Sequence, residues 1–245
     1  MYESKFMKNV GEFEIRNSVF NEKFNRELII HSSVHSEEPV IFDIGAHHGQ
    51  SIEYLREIFP CSIIYSFEPD PDSFKVLSKK ECANNKLFNI ALSDTTGEST
   101  FYKNNISHTN SLYKVNLNSR DSIRAKKESL LKNSSYSEEL NLNISVKTTT
   151  LDQFVSDFNI KKIDLLKIDV QGAEELVLLG GVNALKNVTS IIVEVSFFDY
   201  YEKSTNFLDI EKILIPNGFR MFSILDISKN PMNGRTDWAE ILYTK

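Results

Sequence analysis

Val40-Ile41-Phe42-Asp43-Ile44-Gly45-Ala46-His47-His48-Gly49 opens as an apolar run rich in β-branched residues and closes in a turn of small residues. The following Gln50 to Phe59 carries its apolar residues at helical spacing, so the stretch reads as strand, turn, helix. Gly45 and Gly49 let the backbone turn sharply and approach a ligand where a Cβ would collide. The helix start adds unpaired N–H groups facing that ligand. The result is a nucleotide-sized cradle.

A second apolar run, Ser62 to Phe67, ends in Glu68-Pro69-Asp70, with Glu68 25 positions after Asp43. An acid at the tip of a second parallel strand accepts hydrogen bonds from both hydroxyls of a ribose, which points to an adenosine-type ligand. A pyridine dinucleotide prefers G-x-G-x-x-G. Here the turn reads Gly-Ala-His-His-Gly and is preceded by Asp43, a poor neighbour for a pyrophosphate. A carboxylate in that place suits a ligand with a cationic amino group, so S-adenosylmethionine is expected rather than NAD.

At 245 residues, 41% hydrophobic and 25% charged, the chain has the composition of a soluble globular protein with one main domain. A formal net charge of −6 argues against nucleic acid as a partner, because nonspecific binding requires a basic surface. Cys61 and Cys82 have no CxxC spacing and read as reduced structural thiols, and the histidines form no zinc-type arrangement with them. The N-terminus lacks a cationic segment leading into an apolar one, and no apolar run reaches membrane-spanning length. A cytoplasmic protein without a membrane span is expected.

Along the chain, residues 1–38 read as an N-terminal extension of one or two helices packed on the main domain, or as a lid or homodimer arm. Residues 39–245 form the domain. Asp70 to Asn84 is expected as a helix and Leu87 to Leu92 as a third strand. Residues 98–149 form an irregular insertion, entered by a strand from Ser99 to Tyr102 and left by one from Val146 to Thr149, and between them the polar loop Asn104 to Leu112, including Asn110 and Ser111, suits hydrogen bonding to hydroxyls. Lys114, Arg120, Arg124, Lys126, Lys127 and Lys132 then form a basic run, which is either a solvated helix face or a receiver for a phosphorylated acceptor such as a nucleotide sugar. Beyond it Ile163 to Asp169 and Ser190 to Val195 read as the fourth and fifth parallel strands, each followed by a helix. Phe219 to Ile224 and Trp238 to Tyr243 close the sheet. The alternation implies a doubly wound α/β architecture.

The motifs Phe42-Asp43-Ile44-Gly45-Ala46 with Gly49, Phe67-Glu68-Pro69-Asp70, Asn89-Ile90-Ala91-Leu92-Ser93-Asp94, Thr150-Leu151-Asp152 and Lys167-Ile168-Asp169-Val170-Gln171-Gly172-Ala173-Glu174, followed by Glu194, resemble the FkbM family of S-adenosylmethionine-dependent methyltransferases over roughly residues 40 to 225. That resemblance implies a Rossmann-like class I methyltransferase fold, with a mostly parallel seven-stranded sheet closed by an antiparallel hairpin, and methylation of a hydroxyl on a carbohydrate or natural product. His47-His48 depart from the family's usual turn. The expected cofactor-binding residues are Asp43, Gly45, Ala46, His47, Gly49, Glu68, Pro69, Asn89 and Ala91. Asn110, Ser111, Arg120, Arg124 and Gln171 are expected to meet the acceptor, a small-molecule hydroxyl compound of the nucleoside-diphosphate-sugar type.

Methyl transfer from a sulfonium is an in-line displacement, so the acceptor oxygen must be held opposite the sulfur and lose its proton. Asp169, Glu174 and Glu194, at or near the carboxyl ends of parallel strands, are the candidate bases, with His108 arriving from the insertion. Asp169 and Glu194 are alternatively ligands for Mg²⁺ or Mn²⁺, which would acidify a bound hydroxyl. Glu174 also fits a helix start, and Asp169 a site receiving backbone N–H groups. An NAD-dependent nucleotide-sugar oxidoreductase and a non-catalytic binding module are the competing assignments.

Overall fold

A computed structural model describes residues 10–104, 106–119, 141–231 and 233–245. Among these, seven strands form the central sheet in the order β3-β2-β1-β7-β8-β10-β9. They are β1 (Val40–Ile44), β2 (Ile63–Phe67), β3 (Asn85–Phe88), β7 (Ile163–Ile168), β8 (Val188–Ser196), β9 (Arg220–Lys229) and β10 (Thr236–Thr244). β1, β2, β3, β7 and β8 run parallel, and β10 is antiparallel to both of its neighbours. The seven-stranded, mostly parallel Rossmann-like sheet expected from the strand pattern is present, and the order reverses between β1 and β7.

The strands read as near-continuous apolar runs because helices cover both faces. On one face Ile41, Ile64, Leu165, Ile192 and Leu242 pack with Ile52 and Leu55 of α3 (Gln50–Ile58) and Ile29 and Ile30 of α2 (Arg26–Ser32). On the other, Phe42, Ile44, Leu166 and Val193 meet Leu151 and Phe154 of α5 (Leu151–Asp157), Val177 and Leu178 of α6 (Glu174–Leu179), and Ile210 and Leu214 of α7 (Phe207–Leu214). Caps end these helices as their sequences dictate. Thr150 accepts the Gln153 N–H, and Asn206 with Asp209 forms a capping box.

Two expectations are corrected. The stretch Leu87 to Leu92 is not one strand: β3 ends at Phe88, and Ala91–Leu92 is a separate strand, β4, parallel to β6 (Leu142–Thr149) in a second sheet. In that sheet, β4-β6-β5, the strands expected from Ser99 to Tyr102 and from Val146 to Thr149 are present, as parts of β5 (Gly97–Lys103) and β6. The helix after Asp70 is short: α4 is Pro71–Leu77, a 3₁₀ turn follows to Lys80, and Glu81 is already extended. In the N-terminal extension, residues 14–23 of α1 (Val10–Lys23) are all exposed, including Ile15 and Phe20. The helix α2 docks on the domain. The basic run from Arg120 to Lys132 lies outside the described residues.

Candidate active site

Sheet register assembles the site. Asp43 of β1 lies beside Lys167 of β7, Lys167 beside Ile192 of β8, and Glu194 opposite Glu240 of β10. Paired residues share a face and side chains repeat every second residue. Asp43, Lys167, Glu194 and Glu240 therefore project from one face, with Asp169 continuing the line of Lys167 at the β7 carboxyl end. Opposed acids across a ladder repel, so the row requires cations. Lys167 Nζ lies 3.4 Å from Asp169 Oδ2. Burial works against its charge, but Asp169, Asp43, Glu240 and Glu194 outweigh that and hold the ammonium protonated. Arg26 of α2 pairs with Glu240 and sits 4.7 Å from the centre of the Tyr54 ring.

The turn after β7 carries the polar centre. Gln171 has φ +58, uncommon outside glycine, and its Nε2 donates to Asp169 Oδ1 at 2.8 Å and to Glu194 Oε1 at 3.4 Å. Tyr201, buried, donates from its hydroxyl to the Thr109 carbonyl at 3.0 Å, with Gln171 Oε1 at 3.2 Å. Burial first, and then the charges of Asp169 and Glu174, push the Glu194 carboxyl up to about 9. Glu174 lies behind this turn, where its Oε1 accepts the N–H groups of Gly172 at 3.0 Å and Val170 at 3.2 Å, and burial pushes its carboxyl up to about 7.

At the neighbouring strand tips, Gly45 (φ +88) packs so closely on β7 that a Cβ there would lie 1.8 Å from the Asp169 carbonyl oxygen. Glu68 is buried, its Oε2 accepting the His47 N–H and its Oε1 the Asp70 N–H, both at 2.8 Å. Burial dominates those two bonds and lifts its carboxyl to about 7. His47 stacks on His48 with ring centroids 3.7 Å apart, and its Nε2 lies 2.8 Å from the Ser107 hydroxyl. Burial, reinforced by His48 and His108, lowers the His47 pKa.

Two adjoining cavities open here, of about 620 and 400 Å³. Gly45, His47, His108, Asp169, Glu194 and Trp238 line both. The larger also takes in Glu68, Pro69, Ala91, Asn110 and Gln171, and the smaller takes in Ala46. Of the other expected residues, Asp43 is buried under Ser51 with Oδ1 unpartnered. Gly49 caps α3 at φ +82, and Asn89 holds the Glu68 and Pro69 carbonyls through its Nδ2 at 2.8 and 3.1 Å. Ser111 is buried and accepts the Tyr113 N–H. Arg120 and Arg124 lie outside the described residues. Lys167, Tyr201, Arg26, Glu240 and Trp238 were not singled out from the sequence. Lys167 stands inside a quoted motif, and a charge within an apolar strand was the available signal.

A parallel sheet with this strand order, a glycine turn after β1 and an acid at the tip of β2 define a Rossmann-like class I methyltransferase. The chain belongs to the FkbM methyltransferase family, whose domain model matches residues 43–221. It is 31% identical over 196 residues to the 2-O-methyltransferase NoeI of Sinorhizobium fredii, covering 77% of this chain and 75% of that one. It is 26% identical over 165 residues to the hexuronic acid methyltransferase AglP of Haloferax volcanii, covering 65% of this chain and 56% of that relative. The crystal structure of methyltransferase FkbM from Methylobacillus flagellatus shares the fold with a TM-score of 0.52 at 13% identity, covering 86% of this chain and 44% of that one.

Membership implies S-adenosylmethionine as methyl donor. The site suits it, because the larger cavity runs from the Gly45 turn past the Glu68 carboxylate. Among the described residues no group of three or more His, Cys, Asp or Glu is arranged to hold a metal ion, and no helix is long and apolar enough to cross a membrane.

Proposed function

We propose that the chain O-methylates a hydroxyl of a carbohydrate acceptor, in its fuller form a nucleoside-diphosphate sugar of a surface-polysaccharide pathway. The observation that carries this is the Asp169–Gln171–Glu194 cluster opening into the same cavity as Glu68. Proton removal and ribose recognition are thereby set side by side. The names of two relatives, a 2-O-methyltransferase and a hexuronic acid methyltransferase, support a hydroxyl of a sugar as the target.

Bound S-adenosylmethionine supplies an electrophilic methyl group on a sulfonium. Glu68 would hold the ribose hydroxyls, the Gly45 to Gly49 turn with Ala46 and His47 would hold the amino-acid end, and Pro69 and Ala91, with Asn89 fixing the Glu68 and Pro69 carbonyls, would hold the adenosine side. Asp43 supports the turn from below. Asp169 takes the acceptor proton, its orientation fixed by Gln171 and its charge balanced by Lys167. Glu194, with its raised pKa, keeps a proton near neutrality and donates to the acceptor. His108, at the rim of both cavities, is the second candidate base. Asn110 and Gln171 meet the acceptor, while Glu174 holds the turn that presents it. Arg120 and Arg124 take the diphosphate. Mg²⁺ or Mn²⁺ on Asp169 and Glu194 suits this arrangement poorly, because the Lys167 ammonium is already in the acidic row.

Thermal-shift titration tests the cofactor: S-adenosylmethionine or S-adenosylhomocysteine should raise the melting temperature and NAD should not. Transfer of labelled methyl to a sugar hydroxyl tests the reaction. Stabilisation by NAD alone would favour the oxidoreductase, and cofactor binding without transfer to any acceptor a binding module.

A further inference from the structure

Both cavities end against the terminal hairpin of β9 and β10, beyond residue 221 where the family match stops. Trp238 stands opposite Ser196 in the β8–β10 ladder, so it shares a face with Glu194 and is its diagonal neighbour. Such neighbours lie about 7–8 Å apart, within reach of an aromatic side chain. Across the mouth, Phe198 and Tyr200 meet with ring centroids 5.8 Å apart, and the Arg235 guanidinium lies 5.8 Å from the Phe198 centre. The polar edge is built rather than incidental. Arg235 pairs with Asp237 at 3.0 Å, and Asn230 Nδ2 donates to the other Asp237 oxygen at 3.2 Å. Phe198, Tyr200, Asn230, Arg235, Asp237 and Trp238 all line the larger cavity, as do Asp169 and Glu194.

An aromatic wall offers the apolar C–H face of a pyranose a broad contact at low entropic cost, because its side chains are stiff. A paired guanidinium and carboxylate beside an amide offer donors and acceptors to adjacent hydroxyls.

We infer that this hairpin vestibule is the acceptor-recognition subsite, taking a pyranose ring against Trp238 and Phe198 with its hydroxyls on Asn230, Arg235 and Asp237 and one hydroxyl directed to Asp169 and Glu194. This rests on the carbohydrate reading above and deepens it. Part of the specificity then resides in the terminal hairpin, beyond the residues that the family model matches.

Trp238 is the sole tryptophan, so its fluorescence reports on the wall where the two cavities meet. The full chain, saturated with S-adenosylhomocysteine, is titrated with methyl α-glucopyranoside, methyl α-galactopyranoside, methyl α-mannopyranoside and methyl glucuronoside, while calorimetry follows binding independently. The expected result is saturable binding of at least one glycoside with a matching change in Trp238 emission. Phe198→Ala and Asp237→Ala should each weaken it at least tenfold while leaving S-adenosylhomocysteine affinity within twofold, which also shows that the variants are folded. Glycoside binding that leaves Trp238 emission unchanged, or that both variants retain, overturns the vestibule while the carbohydrate reading stands. Binding of S-adenosylhomocysteine with none of the glycosides overturns both.

Discussion

Glu194 and Glu240 face each other across the β8–β10 ladder, and Arg26 pairs with Glu240. Glu194 is left with a carboxyl raised from 4.5 to about 9 by burial and by Asp169 and Glu174. The folded state therefore holds a proton there that the unfolded chain releases above about pH 4.5. Stability from this group is full below that pH and is lost as pH rises towards 9. Glu194→Gln mimics the protonated form and removes the dependence. Its melting temperature should exceed that of the parent by more than about 3 °C at pH 8, which is roughly 1 kcal/mol for a chain of this size. The two should converge near pH 5. Parallel melting curves across pH 5–9 would show that Glu194 titrates normally.

Gly45 carries a second geometric constraint. Its φ of +88 and a 1.8 Å approach of any Cβ to the Asp169 backbone mean that Gly45→Ala must separate β1 from β7 at the point where the cavities meet. Strain of this kind costs about 3 kcal/mol or more. The variant should melt several degrees lower and bind S-adenosylhomocysteine at least tenfold more weakly by calorimetry. Wild-type affinity would remove the Gly45 turn from the cofactor site.

Glu68 is proposed to accept hydrogen bonds from two ribose hydroxyls, a role that favours the ionised carboxylate. With its pKa at about 7 in the free protein, S-adenosylhomocysteine affinity should strengthen as pH rises from 6 to 8 and then level off. Glu68→Gln should flatten that profile. Glu68→Ala should lose about 1.5–3 kcal/mol, or one to two decades of affinity. An affinity that is independent of pH and of both substitutions would place the ribose elsewhere.

Arg120 and Arg124 offer a way to separate a nucleotide sugar from a simple glycoside. If they receive a diphosphate, neutralising both should raise the KM for a nucleoside-diphosphate sugar several-fold, less so at high salt, and leave the KM for S-adenosylmethionine unchanged. Equal constants in both proteins would return the basic run to a solvated helix face.

What could be read from the chain alone follows from what is local. The central strands were visible because burial on both faces makes each an apolar run, and the Gly45 turn because its glycines and flanking periodicities lie within twenty residues. Two strands of the small sheet, Ser99 to Tyr102 and Val146 to Thr149, were visible as short runs, but their pairing was not. β5 and β6 are half exposed, alternate imperfectly, and pair across some forty intervening residues. Nor could spacing reveal that Arg26 meets Glu240, or that Trp238 reaches Glu194, since register between β8 and β10 places them. The acids at strand ends were legible. The Lys167 and Gln171 groups that set their charge and orientation were quoted in a motif without being given that role.

Asp169 is proposed as the group that takes the acceptor proton, held by the Gln171 amide at 2.8 Å and facing the Lys167 ammonium at 3.4 Å. Asp169→Asn keeps the size while removing charge and basicity. Turnover should fall by roughly two decades or more, with S-adenosylhomocysteine affinity retained within a few-fold. Gln171→Ala leaves the carboxylate in place but frees its orientation, so it should lower turnover by a smaller factor and leave the KM for S-adenosylmethionine unchanged. EDTA then separates the two chemistries. Indifference to the chelator fits a carboxylate base beside Lys167, whereas loss of turnover restored by Mg²⁺ or Mn²⁺ would reassign Asp169 and Glu194 as metal ligands. Near-normal turnover in both Asp169→Asn and Glu194→Gln would sink the proposal and leave His108 as the base to test next.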